Sequence, residues 1–159
     1  TRKELYVADT GNRRVAVFDA NSNFLRQFGG HGSGPGQFDE PVSVAVSPEG
    51  KVFVTDMRNK RLQILDRNGN FLSEIKFPNW RDQYLNEPYV TLDKLGNIFI
   101  SDPANARVYK YSQEGNLLQT IESNASLILE NPVGVAVGAD GSLFIADGKR
   151  NNVYKINPS

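Results

Sequence analysis

The chain has 159 residues, 39% of them apolar, with 18 basic against 18 acidic side chains and a net charge of zero. That is one domain's length with enough apolar material for a core, and no global field draws it to nucleic acid or membrane. With no cysteine and one histidine, His31, it excludes disulfides, thiolate chemistry, His-rich metal sites and any Ser-His-Asp triad built on another histidine; no run approaches 18 consecutive apolar residues.

The chain opens Thr1-Arg2-Lys3 and its only methionine is Met57, so a processed chain or a segment of a longer one is expected. Leu5-Tyr6-Val7-Ala8-Asp9 is the first of four copies of one pattern. The others are Val52-Phe53-Val54-Thr55-Asp56, Ile98-Phe99-Ile100-Ser101-Asp102 and Leu143-Phe144-Ile145-Ala146-Asp147, so the aspartates lie 47, 46 and 45 residues apart. An aliphatic residue stands six places after each: Val15, Leu62, Val108 and Val153. Strands rich in Val, Ile, Phe and Tyr, bounded by Gly, Asn, Asp and Pro, are predicted near 5–9, 15–18, 24–28, 42–46, 52–56, 62–65, 71–75, 90–92, 98–102, 108–111, 117–121, 133–137, 143–147 and 153–156. Glycines such as Gly50, Gly69, Gly96, Gly115 and Gly141 fall where tight hairpins need positive φ. No ten-residue stretch has helical periodicity.

A repeat of about 45 residues carrying four strands is a β-propeller blade. The predicted class is all-β, with blade units near 1–40, 41–87, 88–131 and 132–159. The first lacks its inner strand and the last its fourth, so an arc is expected that either self-associates or is closed by a longer chain.

Asp9-Thr10-Gly11-Asn12-Arg13-Arg14-Val15 resembles the signature of NHL-repeat propellers. The same Asp-x-x-Asn-x-Arg-aliphatic form recurs as Asp56, Asn59, Arg61, Leu62 and as Asp102, Asn105, Arg107, Val108. The stretch from Phe28 through Gly29-Gly30-His31-Gly32-Ser33-Gly34-Pro35-Gly36-Gln37-Phe38 to Pro41 resembles the family's connector between blades. The fourth unit keeps Asp147 but has Arg150 in place of Asn and Asn152 in place of Arg. The resemblance implies a six-bladed parent, which needs about 270 residues at this period. It also implies a recognition or sensor role inside larger proteins, with an extracytoplasmic setting slightly favoured and no cofactor.

The four strand-end aspartates suit either a hard cation or, better, turn N–H groups, and Asp9, Asp56 and Asp102 are expected to bond to nearby turn backbone or to the Arg five residues on. The glycine-rich stretch lacks the Lys-Ser/Thr and following helix of a phosphate loop. Asn124-Ala125-Ser126 is a glycosylation sequon. Trp80 and Tyr84, beside Arg81 and Asp82, sit in a long connector; such aromatics either bind a partner or cap the core.

The loops after the aspartates carry Arg13, Arg14, Arg58, Lys60, Arg61, Arg107, Lys149 and Arg150, whereas Asp19, Glu49, Asp66, Asp93, Glu114 and Asp140 occupy the opposite turns. With Trp80 and Arg81 the basic loops form a candidate binding face, diluted by Asp39, Glu40, Asp82, Glu87, Glu122 and Glu130. The leading expectation is a non-enzymatic module that binds a protein or small ligand on this face. Alternatives are RNA, as in tripartite-motif relatives, an excised fragment without its own function, or a propeller lyase or lactonase. The lyase's metal-binding histidines are missing from this sequence.

Overall fold

The computed structural model describes residues 3–81 and 87–157. Tyr84 and Asp82 lie outside the described residues. All fourteen expected strands form. They are β1 (Glu4–Asp9), β2 (Arg14–Asp19), β3 (Phe24–Gly29), β4 (Pro41–Val46), β5 (Val52–Asp56), β6 (Arg61–Leu65), β7 (Phe71–Lys76), β8 (Val90–Leu92), β9 (Ile98–Asp102), β10 (Arg107–Tyr111), β11 (Leu117–Ile121), β12 (Pro132–Val137), β13 (Leu143–Asp147) and β14 (Asn152–Ile156). Among the described residues, helical backbone is confined to the single 3-10 turns Thr10–Asn12 and Pro103–Asn105.

The strands pair as antiparallel meanders in four sheets: β1-β2-β3, β4-β5-β6-β7, β8-β9-β10-β11 and β12-β13-β14. This is the sheet unit of a β-propeller. Two compact units, Thr1–Pro78 and Asn79–Ser159, each hold two sheets. In the first unit β4 lies against β1 and β2. Val15 of the first sheet packs there with Val52, Val54 and Leu65 of the second and with Phe38 of the connector. In the second unit β12 lies against β8 and β9, and Phe99, Val108 and Ile121 pack against Leu143 and Ile145. Each of these apolar side chains contributes about 1.5–3 kcal/mol by leaving water. β5, β6 and β9 are buried at every position, which is why their sequences run apolar without alternation.

One hairpin recurs. The residue at a strand's end or one place beyond it donates its N–H to the fourth residue on, while its carbonyl accepts from the third, as at Asp19, Ser47, Asp66, Asp93, Ser112 and Gly138. The third residue has positive φ: Gly50, Gly69, Gly96, Gly115 and Gly141, as the sequence predicts, and Ser22 at 64°. At Gly69 a Cβ would lie 2.3 Å from the Phe28 side chain, so packing as well as φ demands glycine. Asp19, Asp66 and Asp93 clasp these turns. Each accepts N–H groups from its own hairpin and the amide of an asparagine four residues on, namely Asn23, Asn70 and Asn97. These bonds hold the Asp19 and Asp66 carboxyls below the usual range. The carboxylates assigned to an acidic face are thus largely occupied by their own turns.

Within the first unit, Glu4 ties the two sheets together. It accepts from Arg26 at 2.9 Å and from Arg67, in the β6–β7 turn, at 2.9 Å. Chiefly through the Arg26 bond, its carboxyl is lowered to about 2.

Candidate functional site

In the second sheet, Asp56 ends β5 and Arg61 begins β6 opposite it. Both are buried. Asp56 accepts the Asn59 amide at 2.7 Å and the backbone N–H groups of Asp39 and Glu40 at 3.1 and 3.0 Å. Arg61 Nε lies 3.3 Å from Asp56, and its Nη1 meets Glu74 at 3.1 Å. The rest of the guanidinium donates outward, to the carbonyls of Ser33, Gly34 and Gln37 at 2.9, 3.0 and 2.8 Å. Asn59 donates to the Gly32 carbonyl at 2.9 Å, and Gln63 both donates to Gln37 O and accepts from Gly36 N–H.

The connector 30–40 is therefore stitched to its scaffold almost residue by residue. Phe38, fully buried, pins it from below and exchanges backbone bonds with Gly30 and Gly32. Gly29, at φ +109°, has no room for a Cβ, which would lie 2.6 Å from the Phe38 ring. Loops fixed on a rigid scaffold are where recognition concentrates. The rim of this one alternates in charge. Arg13 and His31 flank Asp39 at 3.3 and 3.6 Å, and Arg58 pairs with Glu40 at 3.2 Å.

All four repeated aspartates are bonded by protein groups in the described geometry. Asp9 binds Asn12 and Arg14, the latter at 2.7 Å. Asp102 binds Asn105, in its own turn, and the Tyr109 hydroxyl, and the arginine five residues on does not bond to it. Arg107 turns to the Asn105 carbonyl and to Glu122, because the Tyr109 hydroxyl stands at Asp102 Oδ2. Burial pushes the Asp102 carboxyl up, against the pull of Asn105. Asp147, in the unit that departs from the motif, is satisfied by backbone N–H groups of Glu130, Asn131, Lys149 and Arg150. Among the described residues no group of three or more His, Asp or Glu side chains is arranged to hold a metal.

The basic face looks different once its partners are known. Arg13, Arg14, Arg58, Arg61, Arg107 and Arg150 each pair with a carboxylate: Asp39, Asp9, Glu40, Asp56, Glu122 and Glu130. Arg61 is a buried clamp, not a surface cation, because the connector covers it. Trp80 is 2% exposed, so it fills space within the protein and offers no aromatic surface to a partner. Lys60, Arg81 and Lys149 hold side chains toward solvent or at its edge, with Lys60 Nζ 3.5 Å from the Pro78 carbonyl. Asn124 of the sequon is exposed, and its Oδ1 accepts from Ser126 and Leu127.

Four meander sheets of blade type, carried by a repeat of about 45 residues, define a β-propeller chain. Its repeats are of the NHL type. The first 79 residues match a family model described as a 6-bladed beta-propeller. A stretch of 39 residues, 24% of this chain and 4% of its counterpart, is 51% identical to RING finger protein nhl-1 of Caenorhabditis elegans. A streptogramin B lyase structure is similar at TM-score 0.73 and 18% identity, over 97% of this chain and 48% of that one. A virginiamycin B lyase from Staphylococcus aureus is similar at 0.73 and 17%, over 97% and 48%. A protein of unknown function from Bacteroides thetaiotaomicron is similar at 0.68 and 20%, over 96% and 44%. The chain spans about half the length of these solved proteins and a small part of nhl-1. At such identities the structural likeness speaks for the fold alone.

Proposed function

We propose that this chain is a recognition module, not an enzyme, and that it docks a polypeptide partner on the connector platform 30–40. The observation that carries this reading is the platform's rigidity. Arg61, Asn59, Gln63 and Asp56 hold its backbone at seven groups through eight hydrogen bonds, so little ordering entropy is lost on binding. Its rim of alternating Arg13, Asp39, His31, Arg58 and Glu40 suits the mixed polar surface of a protein. The pairing of the arginines favours a polypeptide over RNA, whose phosphates need uncompensated cations.

A peptide library displayed on phage and panned against the protein tests the reading. Enriched peptides are expected to slow amide exchange at residues 30–40 and to lose at least about ten-fold in affinity, roughly 1.4 kcal/mol, with the Arg58→Ala, His31→Ala double variant. Enrichment that maps elsewhere, or metal-dependent turnover of lactone or ester substrates by the purified protein, overturns it.

A further inference from the structure

The connector 122–131 runs from β11 to β12 and takes no part in the platform 30–40. It carries Asn124-Ala125-Ser126. One other Asn-x-Ser/Thr triplet occurs in the chain, Asn157-Pro158-Ser159, and its central proline disqualifies it as a glycan acceptor.

The connector folds around the triplet. Leu127 and Leu129 are buried. The Ser123 hydroxyl donates to the Leu129 carbonyl at 3.1 Å and accepts the Leu129 N–H at 2.9 Å. The Tyr154 hydroxyl donates to the Ile128 carbonyl at 2.8 Å. These anchors leave Asn124, Ala125 and Ser126 exposed. A blade with all four strands leaves the position open too. Phe38 and Leu129 hold the same place in their connectors, since the two N–H groups after each donate to the strand-end aspartate, Asp56 or Asp147. Ser33 precedes Phe38 by five residues, as Asn124 precedes Leu129, and it is exposed beside the four-stranded sheet β4-β5-β6-β7.

Asn124 closes an Asx turn. Its Oδ1 accepts the Ser126 N–H at 2.9 Å, the Ser126 hydroxyl at 3.0 Å and the Leu127 N–H at 3.0 Å, while its own N–H donates to the Leu127 carbonyl at 2.7 Å. Three donors around one atom fix it as the oxygen. Nδ2 bonds to no protein group among the described residues. The arrangement primes that nitrogen. An amide nitrogen is a weak nucleophile because its lone pair is shared with the oxygen. Donors on Oδ1 stabilise the negative charge that collects there as Nδ2 gives up a proton. The Ser126 hydroxyl supplies one of the three, so the last residue of the triplet acts on the first.

We propose that Asn124 is an N-glycosylation acceptor of the folded chain. The co-substrate is an oligosaccharide carried on a polyprenyl diphosphate and transferred by an oligosaccharyltransferase. Nδ2 loses a proton to a base of the transferase and forms a bond to C1 of the first sugar. The C1–O bond to the diphosphate breaks, and the polyprenyl diphosphate leaves with the electron pair. The glycan then projects from a surface connector, where its bulk meets no packed side chain. The proposal is independent of the connector platform.

The intact chain is incubated with a purified single-subunit oligosaccharyltransferase and its lipid-linked oligosaccharide, and the product is read by intact mass and glycopeptide mapping. A single glycan is expected, on Asn124. Asn124→Gln and Ser126→Ala are expected to lose it, and Ser126→Thr, which keeps the hydroxyl, to retain it. Both positions are exposed, and circular dichroism checks that each variant keeps the fold. A capped peptide of residues 120–130 separates presentation by the folded connector from the triplet alone. A connector that had to open first would lag the peptide by its opening constant, so the folded chain is expected to react at no less than about one-tenth of the peptide's rate. An unmodified folded chain, a larger lag, a glycan mapped to another residue, or persistence of the glycan in Ser126→Ala overturns the assignment.

Discussion

Asp56 and Asp102 stand at the same place in consecutive repeats, both almost without exposure, and each is followed by Asn at the third position and Arg at the fifth. Their physics differs. Asp56 is one member of a closed network in which Arg61 is buried and bridges the strand to the connector carbonyls. Asp102 is a buried carboxylate whose arginine has left it for the surface, where Arg107 meets the exposed Glu122. The residue two places after the arginine makes the difference. Gln63 reaches the connector and leaves Asp56 to its arginine, while Tyr109 brings a hydroxyl to Asp102. A repeat motif fixes where a carboxylate sits; the next strand's side chains decide what it does.

The sharpest way to break the comparison is to delete the two arginines. Arg61→Ala strands a buried carboxylate and frees the Ser33 and Gly34 carbonyls, while Gln37 keeps its bond from Gln63, so it is expected to cost about 3–5 kcal/mol. Arg107→Ala removes a half-exposed ion pair and is expected to cost at most about 1 kcal/mol. Urea unfolding followed by circular dichroism measures both. Exchange at residues 30–40 should accelerate only in the first variant, and equal losses would mean that the two nodes are alike after all.

Acid offers a second separation. The Glu4 carboxyl, lowered to about 2 by Arg26, contributes stability that is full above its ordinary value near 4.5 and is lost as pH falls toward 2. The Asp102 carboxyl, raised by burial, works in the other direction: its contribution is full below the ordinary value and is lost as pH rises past it. Measured against Glu4→Gln, the parent's advantage should therefore shrink between pH 5 and 2. Measured against Asp102→Asn, it should grow as pH falls from 7 to 3.5. Slopes of the same sign in both pairs would refute the opposed environments.

Much of this architecture was legible beforehand. β-branched and aromatic composition, hairpin glycines and the aspartate spacing located all fourteen strands, because strand ends in a meander are set by local turn chemistry. The partners of the charges were not legible. Nothing local in the sequence pairs Arg58 with Glu40, 18 positions earlier, or brings Gln63 to Gln37. Trp80 stood in a connector rich in polar residues, where neither period nor spacing tells an inward ring from an outward one. The aspartate-asparagine clasp could have been found from the recurrence of Asp19 with Asn23, Asp66 with Asn70 and Asp93 with Asn97, since each pair has the same four-residue spacing.

The smallest expected effect tests how far the difference between the two nodes extends. Just before the third strand of every blade, one residue adopts the left-handed conformation: Arg13, Lys60, Ala106 and Asn151, at φ 54°, 52°, 53° and 53°. In the first three units it closes the turn that carries the motif asparagine, with N–H bonds such as Lys60 to the Met57 carbonyl and Ala106 to the Pro103 carbonyl. A Cβ in this conformation costs about 1–2 kcal/mol, and glycine returns about 0.5–1 of it as unfolded-state entropy. Ala106→Gly and Lys60→Gly should therefore each stabilise the protein by roughly 0.5–1 kcal/mol. The Lys60 side chain adds only a 3.5 Å contact to the Pro78 carbonyl, so its loss barely alters the balance. Equal gains would show that the turn backbone is common to both blades and that the divergence begins at the side chains of Gln63 and Tyr109. A gain at Ala106 with a loss at Lys60 would show that the closed network around Arg61 also depends on the turn before it.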